Sequence, residues 1–340
     1  MKKPSDISLI LLDNYRTQKP VFQNAGATLS DIGDGILNLE FHTKMNVIGS
    51  EILEAMHKSI DIAEKNYRGL VIGNDAANFS AGANIAMMLM LAIEQEYDEL
   101  DMAIRYFQNT IMRVRYSGIP VAVAPHGLTL GGGCEMTMHS DVAVAAAETY
   151  IGLVEVGAGL IPAGGGTKEL ALRASDKYFK GDIEIPTLQE MSLNIAMAKV
   201  ATSAREAFDL GILRKGIDIE VMNSNRVIAE AKNAVLELAN NGYTPPQQRS
   251  DIKVLGRSAL GSFYTGIASM RMGNYISAHD EMIAKKVCYV ICGGDLSAPT
   301  EVNEQYLLDL EREAFLSLLG EKKTLERMQF ILKTGKPLRN

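Results

Sequence analysis

The hydrophobic pattern in the first two thirds of the chain changes repeatedly between the period of a strand and that of a helix. Four segments have the alternating or short apolar pattern of strands: residues 36–41, 69–73, 119–124 and 142–147. In two others apolar residues recur every three or four positions, which predicts helices over residues 47–63 and 100–114. The glycine triplet opens a further predicted helix from 132 to about 139, and residues 164–173 read as a glycine turn into another helix. This alternation of strands and helices predicts an α/β core.

The strand pattern stops near residue 218. Beyond it, helical spacing and Gly or Pro breakers predict helices over residues 227–238, around 259–291, around 301–319 and over 323–333. Residues 1–30 show no clear periodicity. We therefore expect an irregular lead-in over residues 1–30, an α/β core over 31–215 and a helical C-terminal region over 216–340.

Composition and charge narrow the class of protein. The 340 residues are 47% hydrophobic and 22% charged, which is typical of a soluble globular protein. A formal net charge of -7 gives no indication of a basic face for nucleic acid. The longest apolar run, residues 85–93, is far shorter than the ~18 residues that span a bilayer. Cys134, Cys288 and Cys292 lack CxxC spacing, which indicates a reducing compartment without a disulfide framework. From these observations together we predict a cytoplasmic protein with no membrane span.

Several common signatures of chemistry are missing from the sequence. The segment GGGTK lacks the order of a phosphate-binding P-loop, and GAGLIPAG lacks the spacing of a dinucleotide fingerprint. No G-x-S-x-G elbow presents a serine nucleophile, and the five histidines show no metal-ligand spacing. The sequence therefore predicts no metal site.

Three glycine-rich stretches and two glutamates remain as candidates. The stretches are NFSAGANI (78–85), LGGGCE (130–135) and IGLVEVGAGLIPAGGG (151–166). Glu135 directly follows three glycines, and Glu155 lies among glycines and apolar residues, where a lone carboxylate is costly to bury. Each glutamate is either an exposed residue at the end of an element or a carboxylate directed at a ligand.

The three stretches, in their order and spacing, resemble the active-site segments of the crotonase (enoyl-CoA hydratase/isomerase) superfamily. The resemblance covers about residues 30–215 and implies a crotonase-like ββα spiral core with a helical C-terminal extension. The longer C-terminal part is similar to the hydratase portion of bacterial bifunctional proteins that join a 3-hydroxyacyl-CoA dehydrogenase to an enoyl-CoA hydratase.

The resemblance implies roles for particular residues of the catalytic centre. The backbone N–H groups of Ala83 and Gly132 match the oxyanion-hole donors that bind the thioester oxygen. Glu135 and Glu155 match the two catalytic glutamates of the hydratases. A glycine at position 132 lets a thioester approach the backbone closely.

The resemblance also implies contacts with CoA. Ser80 and Ala81 match the backbone that meets the adenine end, and Lys44 matches a basic position near the CoA entrance, although an exposed lysine is usually only solvated. The sequence departs from the family pattern at Asn84, where aspartate is usual, and at Val154, where hydratases often carry proline. Neither departure removes a catalytic group.

The implied activity is reversible hydration of a 2-enoyl-CoA in fatty-acid β-oxidation, with the CoA thioester as substrate and no cofactor. A Δ3,Δ2-enoyl-CoA isomerase is the close alternative, but it needs chiefly Glu155, so the presence of Glu135 favours the hydratase. A non-catalytic CoA-binding or assembly module is the alternative from another class, and turnover of crotonyl-CoA would exclude it. The resemblance further implies a homo-oligomer, and association with a 3-hydroxyacyl-CoA dehydrogenase is compatible with it.

Overall fold

The computed structural model describes residues 9–340, and its contacts divide the chain into two compact units. The first unit combines the chain up to Ala83 with Asn109–Gly152 and Val200–Gln247. The second combines Asn84–Gln108, Leu153–Lys199 and Gln248–Asn340. Each unit therefore joins separate stretches of sequence. The predicted parts 1–30, 31–215 and 216–340 are continuous stretches instead, and this division of the chain stays a prediction.

The described residues contain strands and helices throughout. The strands are β1 (Phe22–Gln23), β2 (Ala27–Asp31), β3 (Ile36–Phe41), β4 (Gly69–Ile72), β5 (Val121–Val123), β6 (Leu128–Leu130), β7 (Val142–Ala146), β8 (Tyr150–Gly152), β9 (Val200–Ala201), β10 (Ile219–Val221), β11 (Ile252–Val254) and β12 (Thr300–Val302). The helices are α1 (Asp13–Arg16), α2 (Ser50–Asn66), α3 (Ile85–Glu94), α4 (Tyr97–Arg115), α5 (Gly132–Met138), α6 (Gly166–Ser175), α7 (Glu184–Ala196), α8 (Ala204–Asp209), α9 (Val227–Asn240), α10 (Arg257–Met272), α11 (Ala278–Ile291), α12 (Glu304–Leu319) and α13 (Lys322–Thr334).

The first unit is built on a seven-stranded sheet in the order β1-β2-β3-β4-β5-β7-β10. Strands β1 to β3 pair antiparallel, and the pairs from β3 to β10 are parallel. The four predicted strands are confirmed as β3, β4, β5 and β7, which are consecutive in the sheet. The continuous apolar character of β4, β5 and β7 fits a parallel sheet that is buried on both faces.

Helix α9 covers one face of this sheet. Its buried residues Val227, Ile228 and Val235 join one apolar cluster with Ile36 of β3 and Val71 of β4. Helix α2 packs against β2, β3 and β4 and buries Ile52, Met56 and Ile60, as their helical spacing predicted. Burial of these side chains is the main stabilising term for such a sheet, at about 1.5–3 kcal/mol for each large apolar side chain. A smaller sheet, β6-β8-β9, completes the first unit.

The second unit is mainly helical. Helix α11 packs against α6, α7, α10 and α12, and β11 pairs antiparallel with β12. The helices predicted after residue 218 are confirmed as α9 to α13, but the expectation that strands stop there was wrong. Strands β10, β11 and β12 are three residues long, too short for an alternating pattern to show. The lead-in likewise contains β1 and most of β2, which pairs with β3 along its whole length.

Two findings bear on the class of protein. No helix among residues 9–340 is both long and apolar enough to cross a membrane. Cys134, Cys288 and Cys292 are buried and form no disulfide bond with one another. Burial raises the pKa of Cys288 to about 12, so this thiol stays protonated at neutral pH.

The second unit buries several charged side chains that are paired with one another. Lys168 Nζ in α6 lies 2.9 Å from Glu304 Oε2 and 3.2 Å from Glu169 Oε2. The carboxylate of Glu311, in α12, accepts hydrogen bonds from the backbone N–H groups of Gly165 and Lys168 at the start of α6. Glu311 therefore caps this helix from a distant part of the chain, and its charge suits the positive end of the helix dipole.

We expect Glu311→Gln to destabilise the protein by about 1–3 kcal/mol. The NH₂ group of glutamine would face one of the two backbone N–H donors, which would then lack an acceptor in a buried site. Glu313→Gln is the matched control, since Glu313 lies on the same helix and is exposed. The free energy of unfolding, measured with a chemical denaturant, should fall for Glu311→Gln and stay near the wild-type value for Glu313→Gln. Equal values for the two variants would contradict the capping role.

Candidate active site

The turn NFSAGAN follows strand β4 and is fastened to the 3-10 turn Lys44–Asn46. Asn46 Nδ2 donates to Asn78 O at 3.0 Å, Ser80 Oγ donates to Asn46 O at 2.8 Å, and Ala81 N donates to Met45 O at 3.1 Å. Met45 and Asn46 have φ values of 57° and 50°, so the 3-10 turn has an unusual backbone. These bonds bring the three residues predicted to contact CoA into neighbouring turns, with Lys44 exposed at the surface.

Ser80 has a structural task in addition to its predicted one. Its side chain is fully buried, its N–H donates to Leu128 O, and its carbonyl accepts from Leu130 N, both at 3.0 Å. Its hydroxyl also accepts from Gly82 N at 3.1 Å. Ser80 thereby extends the ladder of β6, and its contact with CoA stays a prediction.

The same ladder brings the turn against the glycine triplet. Gly131 N donates to Gly152 O at 3.0 Å, and helix α5 begins at Gly132. A Cβ atom on Gly82 would lie 2.9 Å from Leu130 O and 3.5 Å from Gly132 N, and the φ of Gly82 is +98°. Only a glycine fits there, because an added Cβ would collide with backbone and would also occupy the left-handed region.

Ala83 and Gly132 therefore lie on two backbone segments that are in contact. Neither N–H has a hydrogen-bond partner among residues 9–340. Gly132 is the first residue of α5, where the N–H groups of a helix have no intrahelical partner, and Ala83 is half-buried, so both donors are available to water or to an external acceptor. The role of these two N–H groups as an oxyanion hole stays a prediction.

Glu135 lies in the first turn of α5, next to these donors along the chain. It is only 3% exposed, its N–H donates to Gly131 O at 2.9 Å, and its carbonyl lies 2.7 Å from His139 Nδ1. The interpretation of Glu135 as an exposed residue at a helix start is therefore wrong, and its role as a carboxylate directed at a ligand stays a prediction.

Glu155 belongs to the second unit, whereas Lys44, Ser80, Ala81, Ala83, Gly132 and Glu135 all belong to the first. Glu155 is half-buried and begins the 3-10 turn Glu155–Ala158. Leu160 N donates to Glu155 O at 3.0 Å and closes this turn. The predicted partnership of the two glutamates stays a prediction.

Helix α13 holds the turn that carries Glu155. Thr324 Oγ1 donates to Gly159 O at 2.9 Å, and Arg327 Nη1 donates to Val156 O at 3.1 Å. Sequence reasoning missed both residues, because a single Thr or Arg on an amphipathic helix gives no signal of what it contacts. The turn and α13 are far apart in sequence but lie within the same unit.

A separate concave feature of the second unit lies between α7, α10 and α11. This cavity has a volume of about 750 Å³ and an apolar wall that includes Leu193, Phe263 and Ile267. None of the residues predicted to form the catalytic centre or to bind CoA lines it. In addition, no three His, Cys, Asp or Glu side chains in the described range are grouped so that they could hold a metal ion.

Known proteins resemble this chain in sequence and fold. Residues 31–180 match the family model for enoyl-CoA hydratase/isomerase. This segment belongs to the enoyl-CoA hydratase/isomerase family. The match begins at the end of β2 and includes Glu135 and Glu155 as well as the contact between Gly82 and the triplet.

Solved structures share the fold of the hydratase/isomerase family with this chain. An enoyl-CoA hydratase from Bacillus halodurans has a TM-score of 0.61 at 15% identity and covers 90% of this chain and 99% of its own. An enoyl-CoA hydratase from Mycobacterium avium subsp. paratuberculosis K-10 has a TM-score of 0.57 at 15% identity and covers 93% and 99%. The expected crotonase-like α/β fold is thereby confirmed.

Curated relatives are longer than this chain. A protein of Bacillus subtilis (strain 168) named "Probable 3-hydroxyacyl-CoA dehydrogenase" is 45% identical over 95% of this chain and 40% of its own length. A protein of Rickettsia felis named "Putative fatty acid oxidation complex trifunctional enzyme" is 25% identical over 94% of this chain and 41% of its own. The chain thus spans about two fifths of the length of these relatives.

The contact at Gly82 generates a prediction about stability. We expect Gly82→Ala to destabilise the protein by about 1–3 kcal/mol more than Gly181→Ala, because only the first Cβ collides with neighbouring backbone. Gly181 is a matched control with a φ of +90° and nothing within 4 Å of its added Cβ. Chemical denaturation of both variants measures the difference, and equal losses would mean that Gly82 is needed only for its φ.

The bond between His279 and Thr324 generates a prediction about pH. His279 Nε2 lies 3.0 Å from Thr324 Oγ1, whose proton is donated to Gly159 O, so Nε2 must carry the hydrogen. Burial, together with the charges of Arg327 and Lys323, lowers the pKa of His279 to about 4, although Asp280 and Glu326 oppose the shift.

Between about pH 6.5 and pH 4 this histidine is mostly protonated in the unfolded chain and mostly neutral in the folded chain. Stability should therefore fall as the pH falls through this window. His279→Gln keeps an N–H at the same place without a titrating group, so its melting temperature should fall less than that of the wild type between pH 7 and pH 4. Parallel pH curves would contradict the assigned pKa.

Proposed function

We propose that the chain catalyses the reversible addition of water to a 2-enoyl-CoA, which gives a 3-hydroxyacyl-CoA. The observation that carries the proposal is the pair of N–H groups at Ala83 and Gly132, which have no partner among the described residues, with the buried Glu135 three residues after Gly132. Membership of residues 31–180 in the hydratase/isomerase family supports the same reaction class.

The proposed oxyanion hole acts on the thioester oxygen. Addition of water builds negative charge on this oxygen as the thioester becomes enolate-like. Two backbone donors that are already in place can stabilise that charge without reorganisation, and losing one such donor typically costs ~10²–10³ in rate. The close contact at Gly82 supports this role, because it keeps the two donor segments together.

Two carboxylates complete the proposed mechanism. The oxygen of water bonds to C3 of the enoyl group, one carboxylate takes a proton from this water, and a protonated carboxyl group gives a proton to C2. Each transfer of this kind is worth ~10²–10⁴ in rate. We assign the two roles to Glu135 and Glu155 jointly, the second on the basis of the resemblance.

The substrate carries CoA, and Lys44, Ser80 and Ala81 are the proposed contacts for it. The exposed position of Lys44 beside the turn of Ser80 and Ala81 supports a role at the CoA entrance. Protein groups supply every step of the proposed reaction, so we propose that it uses no cofactor.

The names of the longer relatives support a place in fatty-acid oxidation. We propose that the hydratase works together with a 3-hydroxyacyl-CoA dehydrogenase, which would oxidise its product. A homo-oligomer and a cytoplasmic location stay predictions. The isomerase is the alternative activity, and it would leave the buried Glu135 without a proton to transfer.

We expect Glu135→Gln and Glu155→Gln each to lower kcat about 10²–10⁴-fold while KM changes less than about threefold, because the carboxylates move protons and the backbone binds the thioester. The loss of ultraviolet absorbance of crotonyl-CoA measures hydration. Glu148→Gln is the control, since Glu148 is exposed in the first unit.

Near-wild-type turnover in either variant would remove that glutamate from the mechanism. If the wild type converted a 3-enoyl-CoA but did not hydrate crotonyl-CoA, and only Glu155→Gln lost this activity, the isomerase would replace the hydratase. Absence of turnover on both substrates, with retained binding of CoA thioesters, would favour the non-catalytic module.

A further inference from the structure

We infer that Arg327 of α13 is a positioning residue for Glu155, because its guanidinium holds the turn on which that carboxylate stands. The inference rests on the proposed function, since it takes Glu155 to be a catalytic carboxylate. It adds a residue that lies outside the segment matched by the family model.

The guanidinium of Arg327 is fully buried and makes contacts in several directions. Nη1 donates to Val156 O at 3.1 Å, which is the carbonyl of the residue directly after Glu155. Nη2 lies 2.9 Å from Asp280 Oδ1, and Nε donates to Asn340 Oδ1 at 2.8 Å. One rigid planar group thereby joins the Glu155 turn to the start of α11 and to Asn340.

The carboxylate of Asp280 is itself held in place. Asp280 caps α11 through a reciprocal pair of bonds with Ser277, and Arg339 Nη1 lies 3.0 Å from Asp280 Oδ1. Burial alone would raise the pKa of Asp280, but the Ser277 N–H and the charge of Arg327 outweigh it and lower the pKa. Arg327 is therefore anchored to an ionised, fixed partner.

Stability alone is a weak reason for a buried arginine. Desolvation of a buried ion pair commonly cancels its attraction, and apolar replacements of similar volume are often neutral or stabilising. Unlike an apolar side chain, a guanidinium can donate hydrogen bonds to several acceptors in fixed directions. The bond to Val156 O is the one that bears on the candidate site.

The Glu155 turn depends on restraint from outside itself. A 3-10 helix has poorer hydrogen-bond geometry than an α-helix, and this one is four residues long and contains Gly157. Arg327 and Thr324 restrain it at two carbonyl groups, those of Val156 and Gly159. Loss of the first restraint would let the backbone beside Glu155 move.

Such a movement should affect the chemical step more than binding. A displacement of about 1 Å in a reacting group can cost about 10²-fold in rate. The proposed CoA and oxyanion contacts belong to other residues, so KM should change little. The expected signature is a lower kcat at nearly constant KM.

The first experiment compares Arg327→Met with Arg312→Met in the full chain. Arg312 is a matched control: it is also in the second unit, its side chain is 11% exposed, and it pairs with Asp101 and Asp309 but makes no bond to residues 155–159. We expect Arg327→Met to lower kcat on crotonyl-CoA about 10–100-fold with KM within about threefold, and Arg312→Met to leave both near wild type.

A double-mutant cycle distinguishes positioning from a structural role. If Arg327 acts through Glu155, Arg327→Met should have little further effect on kcat when Glu155 is already Gln. A purely structural role would lower the residual activity by the same factor in both backgrounds, and that result would overturn the inference.

Hydrogen exchange of the turn gives a readout that does not need activity. The amides of Gly157, Gly159 and Leu160 are hydrogen-bonded within the turn, and we expect them to exchange at least about tenfold faster in Arg327→Met. If Arg327→Met does not fold, Thr324→Val takes its place, because it removes the hydroxyl bond to Gly159 O and keeps the shape of the side chain. It should raise exchange and lower kcat in the same way.

The outcomes separate this inference from the proposed function. An active wild type whose Arg327→Met or Thr324→Val variant keeps its kcat and its exchange rates would overturn the inference alone. A wild type that turns over neither a 2-enoyl-CoA nor a 3-enoyl-CoA would overturn the proposed function and the inference with it.

Discussion

The contact between the backbone at Gly82 and the backbone at Leu130 and Gly131 is the constraint on which the first unit's candidate site depends. It places two peptide segments closer together than any side chain would permit. The ladder of Ser80 with β6 holds the contact from one side, and the bond from Gly131 N to Gly152 O holds it from the other. Both segments leave an N–H unpaired at this point, so the donors of the site come from peptide groups whose positions the fold itself fixes.

The parallel sheet explains why these segments can meet. The chain enters the turn from the end of β4, and the segment leading to the triplet leaves β5, the next strand in the sheet. Carboxyl ends of neighbouring parallel strands lie at the same edge, which is where open α/β sheets commonly bind ligands. The buried Glu135 then follows because α5 starts from the triplet and packs its first turn inward.

Buried charge has a different part in the second unit. Glu311 caps α6, and Arg327 holds the Glu155 turn, each by a bond between residues that are more than a hundred positions apart. Arg327 also pairs with Asp280 of α11. Arg327 lies beyond residue 180, where the family match ends, whereas the turn that it holds lies within the match. Helix α13, which lies outside the family match, thus contacts the turn of Glu155, which lies inside it.

The local elements of the protein follow from its sequence. Period and composition predicted β3 with its observed bounds, as well as the other central strands and most of the long helices, because burial of a face selects apolar residues at fixed intervals. The glycine stretches identified the candidate site through their resemblance to a known family. The short strands β1 and β10 escaped prediction because they contain no period, whereas β5, also three residues long, lies within a longer apolar run.

Only the tertiary structure decided what each element contacts. The sequence left Glu135 open between an exposed helix start and an inward carboxylate, and its burial came from how α5 packs. It gave no sign that Ser80 is fully bonded within the fold, or that Thr324 and Arg327 hold the Glu155 turn. Periodicity predicts which side of an element is buried. The partner of a polar group, however, depends on which distant segments pack against it, and no local sequence pattern contains that information.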